Sequence, residues 1–277
     1  MNDDVQEARE RLEIELLLEG IQRAYGYDFR GYALASLRRR LWHRVHGEGL
    51  ETISGLQERI LHDPSCMDRL LRDLSINVTG MFRDPNFHRA LRETVFPVLR
   101  THPFIRVWNA GCSTGEEIYS LAIALHEEGL LDRARIYATD IDEAALQRAR
   151  SGAFSMEHMQ RYTENYLRAG GRDEFSRYYS ADGDVARFDP ALAEGTVFAQ
   201  HNLVTDGSFN EFQLIVCRNV LIYFGRELQE AVLELFGASL TRFGILALGR
   251  KESIRQSRHA GAYEPLVESE KIFRRRS

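Results

Sequence analysis

Three short runs carry the residues most able to do chemistry, and each closes an apolar segment: "NAGCSTGEE" (109–117), "ATDID" (138–142) and "CRNVLIYF" (217–224). In the first, Gly111 and Gly115 permit a close backbone approach. The spacing is neither GxGxxG nor GxxxxGK[ST], and the turn has no lysine. Instead, Glu116 and Glu117 open the helical pattern that follows. Acids there repel a pyrophosphate and suit a cationic or amine-bearing nucleoside. S-adenosyl-L-methionine fits that description, with a positive amino group and sulfonium, a ribose diol and no phosphate. Asp140 then accepts both ribose hydroxyl protons, although it lies beyond the spacing of about 20 residues at which dinucleotide folds place their ribose acid. Glu116 is expected to complement the helix dipole, and Asp142 to cap the next helix.

The elements that must position these runs change character along the chain. Up to about Phe82 the pattern is helical: Ile14, Leu17, Leu18 and Ile21 share one face, and Leu37, Leu41 and Val45 another. Further helices are expected at about 30–46, 53–61 and 67–74. From Phe104 onward, "FIRVWNA", "RIYATDI", "TVFAQHN", "QLIVCRN" and "GILALGR" read as strands, with helical patterns at 116–128, 143–150 and 227–240. Such alternation predicts a mostly parallel sheet with helices on both faces. In open sheets of this kind, ligands bind beyond the carboxyl ends of the strands. The last run, "EKIFRRRS", is expected as a closing edge strand. Between Ser151 and Ala193 the alternation lapses, which predicts an insertion.

Composition narrows the class. The chain has 277 residues, 44% hydrophobic and 28% charged, with a net charge of -5, as expected for a cytosolic globular protein. No apolar run approaches the roughly 20 residues of a membrane span. The acidic N-terminus does not resemble a secretory signal. Cys66, Cys112 and Cys217 are scattered and lack companion histidines at zinc spacing, so neither a disulfide framework nor a metal site is expected. Nucleic acid is disfavoured by the net negative charge.

Together the runs "INVTGMFRDP" (76–85), "GCSTGEEIYSLAI" (111–123), "YATDID" (137–142), "HNL" (201–203) and "CRNVLIYF" (217–224) resemble the CheR-type chemotaxis receptor methyltransferases, which methylate glutamate side chains. The resemblance covers nearly the whole chain. It implies an α/β fold: a Rossmann-like class I S-adenosylmethionine methyltransferase domain (85–277) preceded by a small all-helical domain with its linker (1–84). The insertion at about 151–193 would be a small β subdomain, which in some members docks a receptor-tethered peptide. By resemblance, Asn77, Thr79 and Arg83 contact the cofactor, with Gly111 in the turn. Glu117 lies near its methionine end, Asp140 binds the ribose, Asn202 and Leu203 frame the adenine, and Arg218 and Asn219 approach from the fourth strand. Arg83 and Tyr223 are the positions linked to catalysis. Which carboxylate Arg83 would hold stays open, and Tyr223 alone reads equally well as a core tyrosine. Two departures bear on the methyl acceptor: Met81-Phe82 where the family has two phenylalanines, and Arg250 in "GRKES" (249–253) where it has histidine.

The expected product is S-adenosyl-L-homocysteine, and the expected partner is the acidic, helical cytoplasmic region of a chemoreceptor-like protein. Arg38, Arg39, Arg40 and Arg44 in "SLRRRLWHRVHG" would steer it, unless they only solvate a helix face. The alternative function is a non-catalytic cofactor-binding signalling module. An NAD-dependent oxidoreductase is disfavoured by the acidic turn.

Overall fold

A computed structural model describes residues 2–74 and 79–276. By contacts the chain divides into two units, Met1–Ile76 with Tyr223–Ala231, and Asn77–Ile222 with Val232–Ser277.

In the first unit, α1 (Asn2–Tyr25), α2 (Leu34–Gly47), α3 (Ile53–His62) and α4 (Pro64–Leu74) pack around a core that includes Ile21, Leu37, Leu41, Ile53, Leu56 and Leu70. Local chemistry sets the boundaries. The Thr52 hydroxyl accepts from the Gly55 N–H at 3.0 Å and starts α3. Pro64, whose missing N–H costs nothing at a helix start, opens α4. α2 begins at Leu34, later than its apolar spacing suggested, because residues 31–33 pair with the returning segment. Tyr32 forms an antiparallel bridge to Phe224, and the Ala33 N–H donates to the Tyr223 carbonyl at 2.9 Å.

In the second unit the described strands are β1 (Ile105–Ala110), β2 (Ala134–Asp140), β3 (Ala153–Ser155), β4 (Tyr179–Asp182), β5 (Val185–Phe188), β6 (Thr196–Gln200), β7 (Phe212–Cys217), β8 (Leu240–Leu248), β9 (Tyr263–Val267) and β10 (Ile272–Arg275). The main sheet runs β6-β2-β1-β7-β8-β10-β9. The pairings from β6 through β8 are parallel, and β10 is antiparallel to both neighbours. The chain moves outward from β1 through β2 to β6, then crosses to β7 on the other side of β1. The β1/β7 crevice is therefore the topological switch point, where such sheets bind ligands. Every residue of β7 is buried, as a strand covered on both faces requires.

The remaining helices are α5 (Pro85–Ala90), continued through a π turn (Leu91–Val95) into α6 (Phe96–Leu99), then α7 (Glu116–Glu127), α8 (Glu143–Ser151), α9 (Met159–Arg168) and α10 (Arg226–Ser239). Asp142 caps α8 as expected, its carboxylate accepting from Ala144 and Ala145. The insertion holds α9 and a second, antiparallel sheet ordered β3-β5-β4.

One expectation needs correction. "EKIFRRRS" supplies β10, but that strand is interior, and β9 forms the edge. β9 reads "YEPLV" and contains Pro265, which cannot donate a ladder hydrogen bond and is tolerated where one side of a strand is unpaired.

Candidate active site

The turn after β1 is built by backbone conformations that few residues adopt. Gly111 has φ +79°, and a Cβ there would lie 2.5 Å from Val220 Cγ2. Gly115, at φ +97°, would place a Cβ 2.8 Å from that of Ala149. Between them Ser113 is also left-handed (φ 51°), which aims its N–H at Asp140 Oδ2, 2.8 Å away. The Asp142 N–H donates to Oδ1 at 3.0 Å. Asp140 is thereby fixed at the end of β2 by backbone donors on both oxygens. Burial pushes its carboxyl pKa up, and the backbone donors only partly offset this. The His201 N–H donates to the Asp140 carbonyl (3.1 Å), which anchors the loop after β6. There Asn202 closes a turn, accepting from the Val204 N–H at 3.0 Å and donating to Asp206 at 2.8 Å, beside half-buried Leu203.

Across the switch point, Arg218 leaves the end of β7 with its side chain only 2% exposed. Its guanidinium donates to Glu117 Oε1 at 2.6 Å and to Asp84 Oδ2 at 2.5 Å, and also to the Arg83 carbonyl at 3.3 Å. It stacks 4.1 Å above the Phe87 ring centroid. Glu117 Oε2 accepts from Asn109 Nδ2 at 2.9 Å, and among the described residues Asn109 Oδ1 has no donor. Neighbouring His88 is buried, and burial first, then Arg218 and Arg92, depresses its pKa, so it is neutral. One guanidinium between two carboxylates leaves a net negative charge at the end of β1.

The glutamate pair divides. Glu117 faces Arg218, whereas Glu116 turns away, accepting from the Thr114 hydroxyl at 2.7 Å. Glu116 lies in the first turn of α7, as expected of a helix-start acid, and is buried, which raises its pKa.

The approach loop is strained. Phe82 (φ 50°) and Asp84 (φ 56°) are left-handed, a rare state for a bulky residue. Packing over-determines it: the Phe82 N–H donates to Ser120 Oγ at 2.8 Å, and its ring meets His88, Tyr166 and Phe175. The result delivers the Arg83 carbonyl and the Asp84 carboxylate to Arg218. Asp84 stands at the N-cap of α5 yet makes no capping bond, because Arg218 holds its carboxylate. Thr79 is half-buried at the start of this loop, while Asn77 lies outside the described residues.

Two groups of expected residues fall in the other unit. Tyr223 sits there beneath Arg40, whose guanidinium carbon is 4.4 Å from the ring centroid. The four arginines of α2 do not form one basic face. Arg38 is paired with Glu10, Arg44 with Asp73 and Glu48, and Arg40 is buried with a bond to the Leu74 carbonyl. Arg39 alone of these four is exposed and without a partner among the described residues.

Glu252 escaped notice in the sequence. It is buried after β8 and accepts backbone N–H bonds from Asn219 (3.1 Å), Val220 (2.8 Å) and Gly249 (2.5 Å). It thus holds Asn219 in its left-handed conformation (φ 62°) directly after Arg218. An acid three residues past a strand-end glycine was the available signal.

A sheet with a parallel core, an acid at the end of β2 and a cluster of two carboxylates on one arginine at its switch point mark a Rossmann-like S-adenosylmethionine-dependent methyltransferase domain. Residues 77–267 match the family model of the CheR methyltransferase SAM-binding domain, and residues 12–75 match that of the CheR methyltransferase all-alpha domain. The chain belongs to the CheR methyltransferase family. A Pseudomonas putida protein provisionally named methyltransferase Cher3 is 51% identical over 264 residues, 95% of this chain and 97% of that one. The chemotaxis protein methyltransferase of Listeria innocua is 32% identical over 236 residues, covering 84% of this chain and 87% of its own. That of Salmonella typhimurium is 30% identical over 239 residues, at 82% and 80%. A solved methyltransferase from Geobacter sulfurreducens with S-adenosyl-L-homocysteine aligns at 17% identity and TM-score 0.35, over 62% of this chain and half (50%) of its own length. S-adenosyl-L-methionine is the cofactor, and the residues present fit it: Glu117 and the unfilled Asn109 acceptor suit an amine, and Asp140 suits a diol.

Proposed function

We propose that this protein transfers the methyl group of S-adenosyl-L-methionine to glutamate side chains of a chemoreceptor-like signalling protein, giving methyl esters and S-adenosyl-L-homocysteine. The observation that carries the reading is the Asp84–Arg218–Glu117 cluster, whose net negative charge favours a cation at the end of β1. When bound, the cofactor supplies an electrophilic methyl on a positive sulfur. Glu117 binds its amino group, Asp140 its ribose hydroxyls, and Asn202 and Leu203 border the base. Thr79, Gly111 and Asn219 complete the enclosure, and Asn77 belongs to the same set by sequence. A glutamate acceptor, with a pKa near 4.3, is ionised at neutral pH, so no general base is needed. What the chain must do is align the acceptor and exclude water. Arg83 holds a carboxylate by parallel hydrogen bonds. The Listeria and Salmonella relatives, both named chemotaxis protein methyltransferases, support a receptor acceptor. A cytoplasmic setting follows from that partner, and among the described residues no helix is long and apolar enough to cross a membrane.

Incubation with methyl-labelled cofactor and the cytoplasmic fragment of a chemoreceptor should give base-labile label on glutamate, and Arg83→Ala should abolish it. Cofactor binding without transfer to any acidic helical protein would instead indicate a non-catalytic cofactor-binding module.

A further inference from the structure

Beside the Arg218 cluster lies a pocket of about 250 Å³ lined by Asp84, Pro85, Asn86, Arg168 and Arg250. Its volume is below the roughly 300–1,000 Å³ usual for cofactor-sized ligands; it suits a single side chain. Arg168 ends α9, and Arg250 follows β8. Both are exposed, and neither guanidinium has a side-chain or backbone partner among the described residues. Asp84 is the lining acid, and its carboxylate is already engaged by Arg218. The pocket therefore offers two uncommitted cations, and its one acid is spent. It also adjoins Arg83 in the chain, the residue proposed to hold a carboxylate.

We propose that Arg168 and Arg250 form a subsite for a second acidic side chain of the substrate polypeptide, flanking the glutamate that is methylated. The proposal rests on the protein-glutamate methyltransferase reading. It assigns a specific task to Arg250, which stands where the resembling family carries histidine. A guanidinium is permanently charged and grips a carboxylate with two donors, whereas a neutral imidazole offers one. On a substrate helix, the side chains three and four residues from the acceptor lie on its face, so the subsite selects acceptors with an acid at that spacing.

The probe is a fluorescently labelled 20-residue helical peptide carrying one central glutamate with glutamates three and four residues away. A second peptide has glutamine at the flanking positions. Binding is read by anisotropy at saturating S-adenosyl-L-homocysteine, for the wild type and for the Arg168→Gln/Arg250→Gln double variant. Calorimetry with S-adenosyl-L-homocysteine alone is run on the same samples. The wild type should prefer the acidic peptide by about tenfold, a preference that shrinks with added salt. The double variant should lose the preference while binding S-adenosyl-L-homocysteine normally. Arg250→Glu should favour a third peptide with lysine at the flanking positions. Equal affinities of wild type and double variant for the acidic peptide, or no binding of it by the wild type, would overturn the subsite. Failure of the wild type to bind S-adenosyl-L-homocysteine would instead overturn the underlying reading, so the two failures are distinguishable.

Discussion

Helix α7 begins and ends on paired glutamates, and the two pairs have opposite fates. At its C-terminus, Glu127 accepts from Tyr178 at 3.1 Å and from the Arg172 N–H at 2.9 Å, and also from Tyr166 and Arg92. Glu128 meets Arg100 at 3.0 Å and Arg172 at 2.6 Å. That end is heavily paired and fastens the insertion to the core. At the N-terminus, Glu117 shares a single arginine with Asp84, and the adjoining Asn109 acceptor has no donor among the described residues. The same residue type on the same helix is structural where its partners are many. It is available to a ligand where they are not.

The largest expected effect comes from cutting the heavily paired end. Glu127→Ala leaves a buried guanidinium and two buried hydroxyls short of a partner, and should cost about 3–5 kcal/mol in urea unfolding. The folded fraction should keep its affinity for S-adenosyl-L-homocysteine. Burial raises the Glu127 pKa, but its hydrogen bonds, led by Tyr166, win, and the net shift is downward. A carboxyl whose folded pKa lies below its unfolded value stabilises above the unfolded value and loses that contribution as pH falls through the folded one. Glu127→Gln should therefore flatten the acid limb of a stability profile below about pH 4.5.

Next in size, Glu117→Gln should weaken S-adenosyl-L-homocysteine binding by about tenfold or more by calorimetry, the scale of a charged hydrogen bond. Gly111→Ala should destabilise by about 1–3 kcal/mol and weaken binding, since it combines strained φ with the Val220 contact; adding Val220→Ala should restore part of both. A gentler effect is expected from pH. Because burial holds the Asp140 pKa above the ordinary aspartate value, ribose binding to its ionised form should begin to weaken at a higher pH than for an exposed aspartate. Affinity titrated downward from pH 8 should fall early, and Asp140→Asn should remove that dependence along with most binding. Smallest of all, Glu116→Gln should change affinity by less than about twofold, since a glutamine oxygen still accepts from Thr114.

Much of this was readable before the fold was known. Short β-rich runs marked β1, β2 and β7, and an aspartate before a helical pattern marked the α8 cap. The rest depended on partners far along the chain. β9 was hidden by Pro265 and a polar start. The left-handed Phe82 and Asp84 carry no local signal, because packing against Ser120, Tyr166 and Phe175 imposes them. Nor can spacing reveal that Arg40 is buried against Tyr223 while Arg39 next to it is exposed. At the site, residue types sufficed to separate a cationic nucleoside from a dinucleotide. They could not show that Asp84, Asn109 and Glu252 assemble the cluster, since each meets its partner only in the folded chain.

The most direct test of the contrast between the two ends of α7 is calorimetry with S-adenosyl-L-homocysteine on the wild type, Glu117→Gln and Glu127→Gln side by side. Strong binding by the wild type, loss of about tenfold or more in Glu117→Gln, and unchanged affinity in Glu127→Gln are predicted. Wild-type affinity in Glu117→Gln would contradict a ligand site at the N-terminal end of the helix.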